Sequence, residues 1–466
     1  MSRSLPSSRF YGREAELSLL HRFQSDVRDK GISRFVVVTG RRRVGKTRLL
    51  EEALPSEASM PTISGYIASQ LSDQNLSNFV KEIERVLAIP YPLAIRSFEE
   101  ALALVFREAQ NRPLTLILDE FQNFKTVDPT IFDSLQRLWD RNHLKSKILL
   151  VTCGSVASSM REIFENGTDP LFARESANIH LDPFFPELLK TIFSDYKTDF
   201  SGDDLLALYT FTGGVAQYVQ SFLSSDAFSF DAMLEQTMRF NSGLISEAQL
   251  MVSAEFKGAA PRMNEILLAI CQGKTKRPEL ASLFDVSISG HLFQLEKLYG
   301  LIEVTEPLGE NGAKRKRGRY TITDELLNFW YTFCLPNLQM LQVSDKSALM
   351  ELIRAGYPTW SGRALERLYR RHFCNCGLFT AVGPWWDKKG ENEIDLVAVN
   401  PTHRHIVFAE IKRDESKIRP DILRKRSEVF LQFNPRYADF ERDYLTLSLN
   451  ELSSTGKLPF SKSDGE

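Results

Sequence analysis

The chain has 466 residues, of which 43% are hydrophobic and 25% are charged, and its formal net charge is -2 at pH 7. This length and balance are typical of an ordinary globular protein with about three domains, and they exclude a disordered or fibrous chain. No stretch approaches the roughly 18 apolar residues of a membrane helix, and residues 1–6 lack the apolar run of a signal peptide. We therefore expect a cytoplasmic protein without a membrane partner.

The five cysteines are scattered through apolar or mixed sequence, which predicts buried thiols in a reducing compartment. The only close pair is Cys374 and Cys376. A zinc site would need two further ligands, for which His372, His403 and His405 lie in the same third of the chain, so zinc is the less favoured alternative.

A glycine-rich loop follows the apolar run at residues 35–38 and precedes a helical pattern. Its sequence, Gly-Arg-Arg-Arg-Val-Gly-Lys-Thr, has the spacing of a phosphate-binding loop (P-loop). Backbone N–H groups would surround an anion, Lys46 would reach the β- and γ-phosphates of ATP, and the Thr47 hydroxyl would complete a Mg²⁺ shell. The alternative is a chance glycine loop. The predicted nucleotide-binding residues of this segment are Gly40, Arg41, Arg42, Arg43, Val44, Gly45, Lys46, Thr47 and Arg48.

Residues 1–185 alternate between helical patterns and short apolar strands, which predicts an α/β domain built on a parallel sheet. The predicted strands are Phe35–Thr39, Thr62–Tyr66, Leu114–Leu118, Ile148–Thr152 and Asn178–Leu181. The helices between them include Leu76–Leu87 and Phe98–Ala109. Over residues 186–258 the strands stop and amphipathic helices follow, which predicts a small helical lid.

Residues 259–340 have the pattern of a winged helix-turn-helix, in which a two-stranded hairpin follows three helices. The predicted helices are Met263–Cys271, Arg277–Phe284 and Ser289–Tyr299, and the predicted strands are Leu301–Val304 and Tyr320–Ile322. Residues 341–466 form the last predicted domain. It contains a helix at Gly362–His372, strands at Leu378–Val382, Glu393–Val399 and Ile406–Ile411, and then helical sequence again.

A phosphate-binding loop needs acidic partners, because the metal requires an anchor and the attacking water requires a base. The strand Leu114–Leu118 ends in Asp119 and Glu120. Since successive strand residues point in opposite directions, we predict that Asp119 anchors Mg²⁺ and that Glu120 is the general base. The alternative is a strand followed by an acidic loop. Gln122 could also orient water, although its position equally suits the start of a helix.

Further candidates follow later strands and helices. Thr152 or Ser155 would sense the γ-phosphate, or would cap a helix. Arg174 precedes the last strand of the sheet, from which a catalytic arginine could reach a phosphate in the neighbouring subunit of a homo-oligomer; a surface arginine is the alternative. Gly213-Gly214 would contact the nucleotide or would only end a helix.

Four segments of the chain together resemble the archaeal-type P-loop ATPases of the AAA+/STAND group. They are Phe10-Tyr11-Gly12-Arg13-Glu14, the loop at residues 40–47, Leu118-Asp119-Glu120-Phe121-Gln122 and Thr212-Gly213-Gly214-Val215. The resemblance covers nearly the whole chain. It implies an AAA+-like α/β core with a helical lid, and it places Tyr11, Gly12 and Arg13 beside the adenine base. The chain departs from the family at Ala216, because members usually have a proline shortly after the two glycines.

Members of this group often end in a domain that resembles the PD-(D/E)XK nucleases, which implies a restriction-endonuclease-like α/β fold for residues 341–466. Glu410 and Lys412 lie two residues apart on a predicted strand and would share a face, and Asp395 would approach them across a hairpin. Asp395, Glu410 and a backbone carbonyl could hold Mg²⁺ while Lys412 activates water. Glu366 matches the helical acid of the nuclease pattern. The alternative is a solvated sheet face with an ordinary acid-lysine pair.

The predicted hairpin of the winged helix is strongly basic. It carries Lys314, Arg315, Lys316, Arg317 and Arg319, which suits a wing that grips the DNA backbone. A protein-contact module and a solvated loop are the alternatives. The sequence thus favours a Mg²⁺-dependent ATPase coupled to a DNA-binding winged helix and a nuclease-like domain. The competing hypothesis is a slow nucleotide-operated switch whose inactive C-terminal domain binds DNA or protein.

Overall fold

The computed structural model describes residues 9–69, 72–90, 92–155, 157–239, 243–245, 260–309 and 317–461. The chain divides into two compact units: residues 10–182 form one, and residues 183–466 together with residues 1–9 form the other. Within the described ranges, no helix combines the length and the apolar character that crossing a membrane requires.

The unit of residues 10–182 contains a five-stranded parallel sheet in the order β2-β3-β4-β1-β5. The strands are β1 (Arg34–Thr39), β2 (Thr62–Tyr66), β3 (Leu114–Asp119), β4 (Ile148–Gly154) and β5 (Ala177–His180). The helices are α1 (Glu14–Lys30), α2 (Lys46–Ala53), α3 (Ser72–Leu87), α4 (Phe98–Asn111), α5 (Phe124–Val127), α6 (Ile131–Asn142) and α7 (Ala157–Glu165). The predicted parallel α/β core is confirmed, and the ends of its strands lie within one or two residues of those predicted.

Both faces of this sheet are buried. Successive residues of a strand point to opposite sides, so neighbouring residues of one strand enter different hydrophobic clusters. Phe35 and Val37 pack into one hydrophobic cluster, whereas Val36 and Val38 pack into the other. Strands β1 and β3 both border β4. The carboxyl ends of β1 and β3 therefore lie one strand apart at the same edge of the sheet, where the P-loop and the acidic residues follow them.

The unit of residues 183–466 begins with four helices. They are α8 (Pro186–Tyr196), α9 (Gly202–Thr212), α10 (Ala216–Ser224) and α11 (Phe230–Met238). Helix α9 begins with a capping box, in which Ser201 and Asp204 satisfy each other's backbone N–H groups. Every residue of α9 from Leu205 to Thr212 is buried, so this helix lies at the centre of its neighbours rather than on the surface.

The next segment consists of three helices and a two-stranded antiparallel sheet, in the order that the sequence predicts. The helices are α12 (Ala260–Cys271), α13 (Arg277–Ala281) and α14 (Ser289–Phe293), and the strands are β6 (Ile302–Thr305) and β7 (Arg319–Ile322). Helix α14 continues as a π-helical turn at Gln294–Leu298. Helices α15 (Glu325–Phe329) and α16 (Leu338–Gln342) follow.

The C-terminal part of the unit is a four-stranded mixed sheet in the order β11-β10-β9-β8. Its strands are β8 (Ala381–Trp386), β9 (Glu393–Asn400), β10 (His405–Ile411) and β11 (Glu441–Leu447). Strand β9 is antiparallel to β8 and β10, whereas β11 is parallel to β10. The helices are α17 (Ser347–Asn375), which precedes the sheet, and α18 (Pro420–Phe433), which connects β10 to β11.

Three predictions for this part were wrong in detail. The predicted strand Leu378–Val382 begins at Ala381 and runs through Trp386, so that Trp385 lies in the core. Helix α17 is 29 residues long and extends across Pro358, a residue that normally interrupts a helix. Strand β11 was read as part of a helical segment, because its residues are mostly polar and its pairing with β10 is invisible in the local pattern.

Candidate ATPase site and the C-terminal acid-lysine cluster

The P-loop backbone favours glycine at two positions. Gly40 has φ +148°, and a Cβ there would lie 2.7 Å from the Leu181 carbonyl oxygen. Gly45 has φ +102° and is the N-cap residue directly before helix α2. The Val44 side chain is 2% exposed and belongs to the core cluster beneath the loop. The two glycines and the valine thus fix the path of the backbone from β1 into α2.

Lys46 is folded over this loop. Its Nζ donates hydrogen bonds to the carbonyl oxygens of Gly40 at 2.8 Å and Arg41 at 3.1 Å. Burial lowers the pKa of Lys46, an effect that the carboxylates of Asp119 and Glu120 oppose. The ammonium group therefore lies against the loop backbone, within the electrostatic reach of both predicted acids.

Thr47 and Asp119 are in direct contact. Thr47 Oγ1 donates a hydrogen bond to Asp119 Oδ2 at 3.1 Å, and Asp119 Oδ1 accepts one from the backbone N–H of Glu120 at 2.9 Å. A hydroxyl and a carboxylate at this distance are oxygen donors of the kind that Mg²⁺ prefers. The two residues predicted from separate motifs to bind Mg²⁺ are thus brought together at the edge of the sheet.

The Glu120 carboxylate is held on two sides. Ser155 Oγ donates to Glu120 Oε2 at 2.8 Å, and the Gln122 amide donates to the same oxygen. The Glu120 backbone has φ +53°, a left-handed conformation that is uncommon for a residue other than glycine. Thr152, the other predicted γ-phosphate sensor, is buried, and its hydroxyl has no hydrogen-bond partner among the described residues.

The segment predicted to contact adenine forms the tight entry to helix α1. Gly12 and Arg13 have φ +65° and +71°. The Arg13 guanidinium donates to the Asp182 carbonyl oxygen and lies 3.4 Å from the Glu16 carboxylate. Tyr11 precedes them and is partly exposed. These contacts give Arg13 a structural role, and the adenine contact stays a prediction.

The remaining arginines differ in their surroundings. Arg48 lies 3.3 Å from Glu52 on the exposed side of α2. Arg42 is exposed, and its positive charge contributes to the lowered pKa of Lys46. The Arg174 guanidinium pairs with both carboxylate oxygens of Asp140 on α6, at 3.0 and 3.1 Å. The structure thus places Arg174 in an ion pair within its own unit, and the catalytic role in a neighbouring subunit remains a prediction.

The two glycines that follow α9 have a clear structural function. Gly213 has φ +59°, and its N–H donates to the Tyr209 carbonyl oxygen at 2.7 Å, which ends the helix. A Cβ on Gly214 would lie 2.5 Å from the Phe184 carbonyl oxygen. The helix-ending function is therefore observed, and the nucleotide contact of Gly213-Gly214 stays a prediction.

A second set of predicted residues converges in the C-terminal sheet. Asp395 Oδ2 accepts hydrogen bonds from Lys412 Nζ at 2.7 Å and from the backbone N–H of Ile411 at 2.8 Å. Glu410 is 7% exposed and accepts from the backbone N–H of Arg419 at 2.8 Å. Asp395, Glu410, Lys412 and Glu366 are hereafter called the acid-lysine cluster.

Electrostatics tie Glu366 to this cluster. Burial and the negative charge of Asp395 raise the pKa of Glu366 to about 7. Arg370, one turn further along α17, lies 3.5 Å from Glu366 and donates to the Asp395 carbonyl oxygen at 3.2 Å. Although burial alone would lower it, the pKa of Lys412 is raised, mainly because Asp395 stabilises its charged form.

A comparison with protein families gives a match for the region that contains the first site. Residues 10–222 match a family described as an ATPase domain predominantly from Archaea. Residues 10–222 are therefore similar to an ATPase domain found predominantly in Archaea. The match includes the P-loop, the Asp119-Glu120 pair, helices α8 and α9 and most of α10.

A second family matches residues 330–422, and it is described as Archaea bacterial proteins of unknown function. This match contains every residue of the acid-lysine cluster. A relative from Methanocaldococcus jannaschii, the uncharacterized protein MJECL04, is 27% identical over 443 residues, which cover 92% of this chain and 94% of the relative. Both matched regions thus occur together in another protein of nearly the same extent.

Two solved structures resemble this chain at low sequence identity. The Walker-type ATPase paby2304 of Pyrococcus abyssi matches with a TM-score of 0.50 and 17% identity over 69% of this chain and 96% of that protein. The Aeropyrum pernix ORC2 protein, solved as ADPNP-ADP complexes, matches with a TM-score of 0.48 and 16% identity, covering 75% of this chain and 96% of that protein. The first of these likenesses agrees with a P-loop ATPase fold.

The basic hairpin is anchored to the C-terminal sheet. The Arg319 guanidinium pairs with Glu393 at 2.6 Å and lies 4.1 Å from the ring centre of Trp386. Arg317 donates to the Trp386 carbonyl oxygen at 3.4 Å. The predicted DNA contacts Lys314, Arg315 and Lys316 lie outside the described residues. Arg319, which the sequence analysis assigned to DNA, is thus engaged by Glu393, a partner that sequence reasoning missed.

In the part of the chain that the structure describes, no three or more His, Cys, Asp or Glu side chains are grouped as metal ligands. Cys374 is exposed whereas Cys376 is buried, so the less favoured zinc alternative gains no support. Magnesium at the acid-lysine cluster would have to rely on Asp395, Glu410 and a backbone carbonyl, as predicted.

Proposed function

We propose that this protein is a cytoplasmic Mg²⁺-dependent ATPase. The observation that carries the proposal is the hydrogen bond between Thr47 Oγ1 and Asp119 Oδ2 at 3.1 Å, at the mouth of a P-loop that Lys46 covers. The match of residues 10–222 to an ATPase family supports the same conclusion. Thr47 and Asp119 would hold Mg²⁺, which neutralises phosphate charge when it is bound.

The residues of the site suit hydrolysis of the γ-phosphate. Lys46 exchanges its contacts with the Gly40 and Arg41 carbonyls for the phosphate oxygens of ATP. Water attacks the γ-phosphorus as the bond to the β-phosphate oxygen breaks, and Glu120 accepts the proton of that water. The products are ADP and inorganic phosphate. Ser155 and Gln122 hold the base in position throughout.

Steady-state turnover of the wild type and of Glu120→Gln tests this proposal. Glu120→Gln keeps the shape of the side chain but cannot accept the proton, so we expect kcat to fall by about a hundredfold or more while ATP still binds. Glu52→Gln, a change of the same kind on the exposed side of α2, serves as the matched control. A wild type that turns over as slowly as Glu120→Gln, with or without DNA, would favour the switch hypothesis.

We propose a nuclease-like function for the acid-lysine cluster as a second activity. Its support is the approach of Lys412 Nζ to Asp395 at 2.7 Å, which brings the predicted lysine and acid together across neighbouring strands. In these hydrogen bonds Asp395 and Glu410 each use one oxygen. Their other oxygens suit a Mg²⁺ ion, beside which Lys412 would orient the attacking water.

Incubation of DNA or RNA with Mg²⁺ or Mn²⁺ tests this second activity. We expect cleavage by the wild type and its loss in Asp395→Ala and Lys412→Ala. The matched control is His405→Ala. His405 lies on the same strand as Glu410, and its side chain pairs with Asp443 on β11. Cleavage that persists in both cluster variants would remove these residues from the mechanism and leave a binding domain in its place.

DNA is the proposed partner of the basic hairpin. Residues 260–322 have the helix and strand order of a winged helix, and the hairpin between β6 and β7 carries four consecutive basic residues at 314–317. Each phosphate contact adds to the salt dependence of binding. Replacement of the four residues by alanine should weaken DNA binding and flatten its dependence on salt. An unchanged salt dependence would indicate a protein partner.

A further inference from the structure

One arginine joins helix α9 to the acid-lysine cluster. Arg413 directly follows Lys412 at the end of strand β10. Its Nη2 lies 2.8 Å from the Asp203 Oδ1 atom, and Asp203 belongs to the first turn of α9. The Arg413 side chain is only 17% exposed. The Asp203 side chain is 39% exposed, so this ion pair lies at the margin of the interior and is partly screened by solvent.

Further contacts fix the Arg413 guanidinium against helix α17. Nη1 donates to the Ser361 hydroxyl at 2.7 Å, and Ser361 is fully buried. The guanidinium carbon lies 5.4 Å from the ring centre of Tyr357. The Tyr357 hydroxyl in turn shares a hydrogen bond of 3.1 Å with the Thr210 hydroxyl on α9. Arg413 thus sits where α9, α17 and the end of β10 meet.

Helix α9, helix α17 and the end of strand β10 also carry or adjoin the acid-lysine cluster. The backbone N–H of Lys412 donates to the Leu447 carbonyl oxygen at 3.0 Å, and its side chain reaches Asp395. Glu366 lies on α17 beyond Ser361. Helix α9 is therefore connected to the cluster along two paths that each begin with a noncovalent contact. One leads from Asp203 through Arg413 to Lys412, and the other leads from Thr210 through Tyr357 and α17 to Glu366.

The contact also links the two family matches. Asp203 and Thr210 lie in the ATPase match at residues 10–222, whereas Tyr357, Ser361 and Arg413 lie in the match at residues 330–422. A planar guanidinium suits such a junction, because its fixed fork holds several partners in one geometry.

We infer that Arg413 is a positioning residue that couples the placement of helix α9 to the ion pair between Lys412 and Asp395. A displacement of α9 would pull on Asp203 and shift the end of β10, which changes how firmly Asp395 holds the Lys412 ammonium. The ATPase domain would in this way regulate the acid-lysine cluster. The inference rests on the proposal that this cluster is a functional site, but its test requires neither ATP turnover nor cleavage of nucleic acid.

The test is the rate at which N-hydroxysuccinimide acetate acetylates Lys412 in the full-length protein, measured by peptide mass spectrometry. Exposed Lys417 is the internal standard. An amine held by a carboxylate reacts slowly, so we expect Arg413→Gln and the isosteric Asp203→Asn to speed acetylation of Lys412 about fivefold, as suits the loss of one partly exposed ion pair. The swapped pair Asp203→Arg with Arg413→Asp should return the rate toward that of the wild type.

The matched control is Arg354→Gln. Arg354 on α17 pairs with Asp231 on α11 at 2.7 Å, which is a comparable link elsewhere in the same unit. This variant should leave the Lys412 rate unchanged. In the wild type, ADPNP with Mg²⁺ should alter the Lys412 rate, and in Arg413→Gln it should not.

Two results would overturn the inference. One is an unchanged Lys412 rate in folded Asp203→Asn and Arg413→Gln protein. The other is an equal acceleration in Arg354→Gln, which would mean that loss of any ion pair loosens the unit. Failure of the proposed hydrolytic activities is measured separately, because it leaves the nucleotide-free comparison of Lys412 rates intact.

Discussion

The Ser155 hydroxyl donates a hydrogen bond to the Glu120 carboxylate at 2.8 Å, although the two residues follow different strands of the sheet. The hydroxyl that the sequence assigns to the γ-phosphate thus contacts the predicted general base. Thr152 lies nearby in the chain, but its hydroxyl contacts no partner among the described residues. The two hydroxyls can therefore be distinguished by mutation.

Ser155→Ala should lower kcat for ATP hydrolysis about tenfold and leave the KM for ATP nearly unchanged. The variant removes a hydrogen bond that orients the base but no predicted contact with the P-loop. Thr152→Val is the matched control, because it replaces a buried hydroxyl by a methyl group of similar shape and should leave kcat almost as in the wild type. Equal effects of the two variants on kcat would contradict the assignment.

Gly40→Ala should destabilise the ATPase domain and abolish ATP binding. The added Cβ would lie 2.7 Å from the Leu181 carbonyl oxygen at a φ of +148°, and such strain costs about 1–3 kcal/mol of unfolding free energy. Gly167→Ala is the control, since a Cβ there meets nothing within 4 Å. Thermal melting and ATP titration measure both effects. Tight ATP binding by Gly40→Ala would show that the loop is shaped differently.

Glu393→Ala should strengthen DNA binding, because it releases the Arg319 guanidinium from its 2.6 Å ion pair. One additional phosphate contact would raise the magnitude of the salt slope by about one. Glu391→Ala removes the same charge from an exposed site in the same loop region and should change the slope less. Fluorescence anisotropy with a labelled duplex at several salt concentrations gives these slopes. Identical slopes for both variants would indicate that Arg319 does not reach DNA.

Glu366 should make the protein less stable as the pH rises from about 4.5 to about 7. Its pKa is raised to about 7 in the folded state from 4.5, so the folded protein binds the proton more tightly than the unfolded chain and loses that advantage as the pH rises through this range. The loss of stability over this pH range is about 1–3 kcal/mol in the free energy of unfolding, and we expect it to be absent in Glu366→Gln.

Thermal melting of the wild type and Glu366→Gln at pH 5 and pH 7.5 measures this difference. The exposed Glu351 lies on the same helix, and Glu351→Gln should follow the wild-type pH dependence. A Glu366→Gln protein whose melting temperature depends on pH as strongly as that of the wild type would show that Glu366 ionises normally.

Local patterns were sufficient for the P-loop, for the strand that ends at Asp119 and for the convergence of Asp395 with Lys412. The first two signals depend on the period of buried residues and on spacing within a single element, and the third depends on the antiparallel pairing of two strands adjacent in sequence. Strand β11 was not predicted because polar and apolar residues alternate little along it. Its strand character depends on the parallel pairing with β10. The predicted helix Gly362–His372 begins after Pro358, a residue that normally interrupts a helix, whereas α17 extends across it.

Side-chain pairs between distant segments were the other missing information. Arg319 with Glu393, Arg413 with Asp203 and Ser155 with Glu120 are separated by 74, 210 and 35 positions in the numbering. No periodic pattern encodes such contacts, since they depend on how whole elements pack. For this reason the sequence predicted which residue types could act, but it could not tell which arginines were already engaged by an acid.

Calorimetric titration of ATP in the presence of Mg²⁺ into the wild type and into Lys46→Ala tests the central claim most directly. The account predicts saturable binding of one ATP by the wild type and a loss of about 2 kcal/mol or more of binding free energy in Lys46→Ala, because a charged donor to the phosphates is removed. Folded wild-type protein that binds neither ATP nor GTP, or a Lys46→Ala variant that binds ATP as tightly as the wild type, would contradict it.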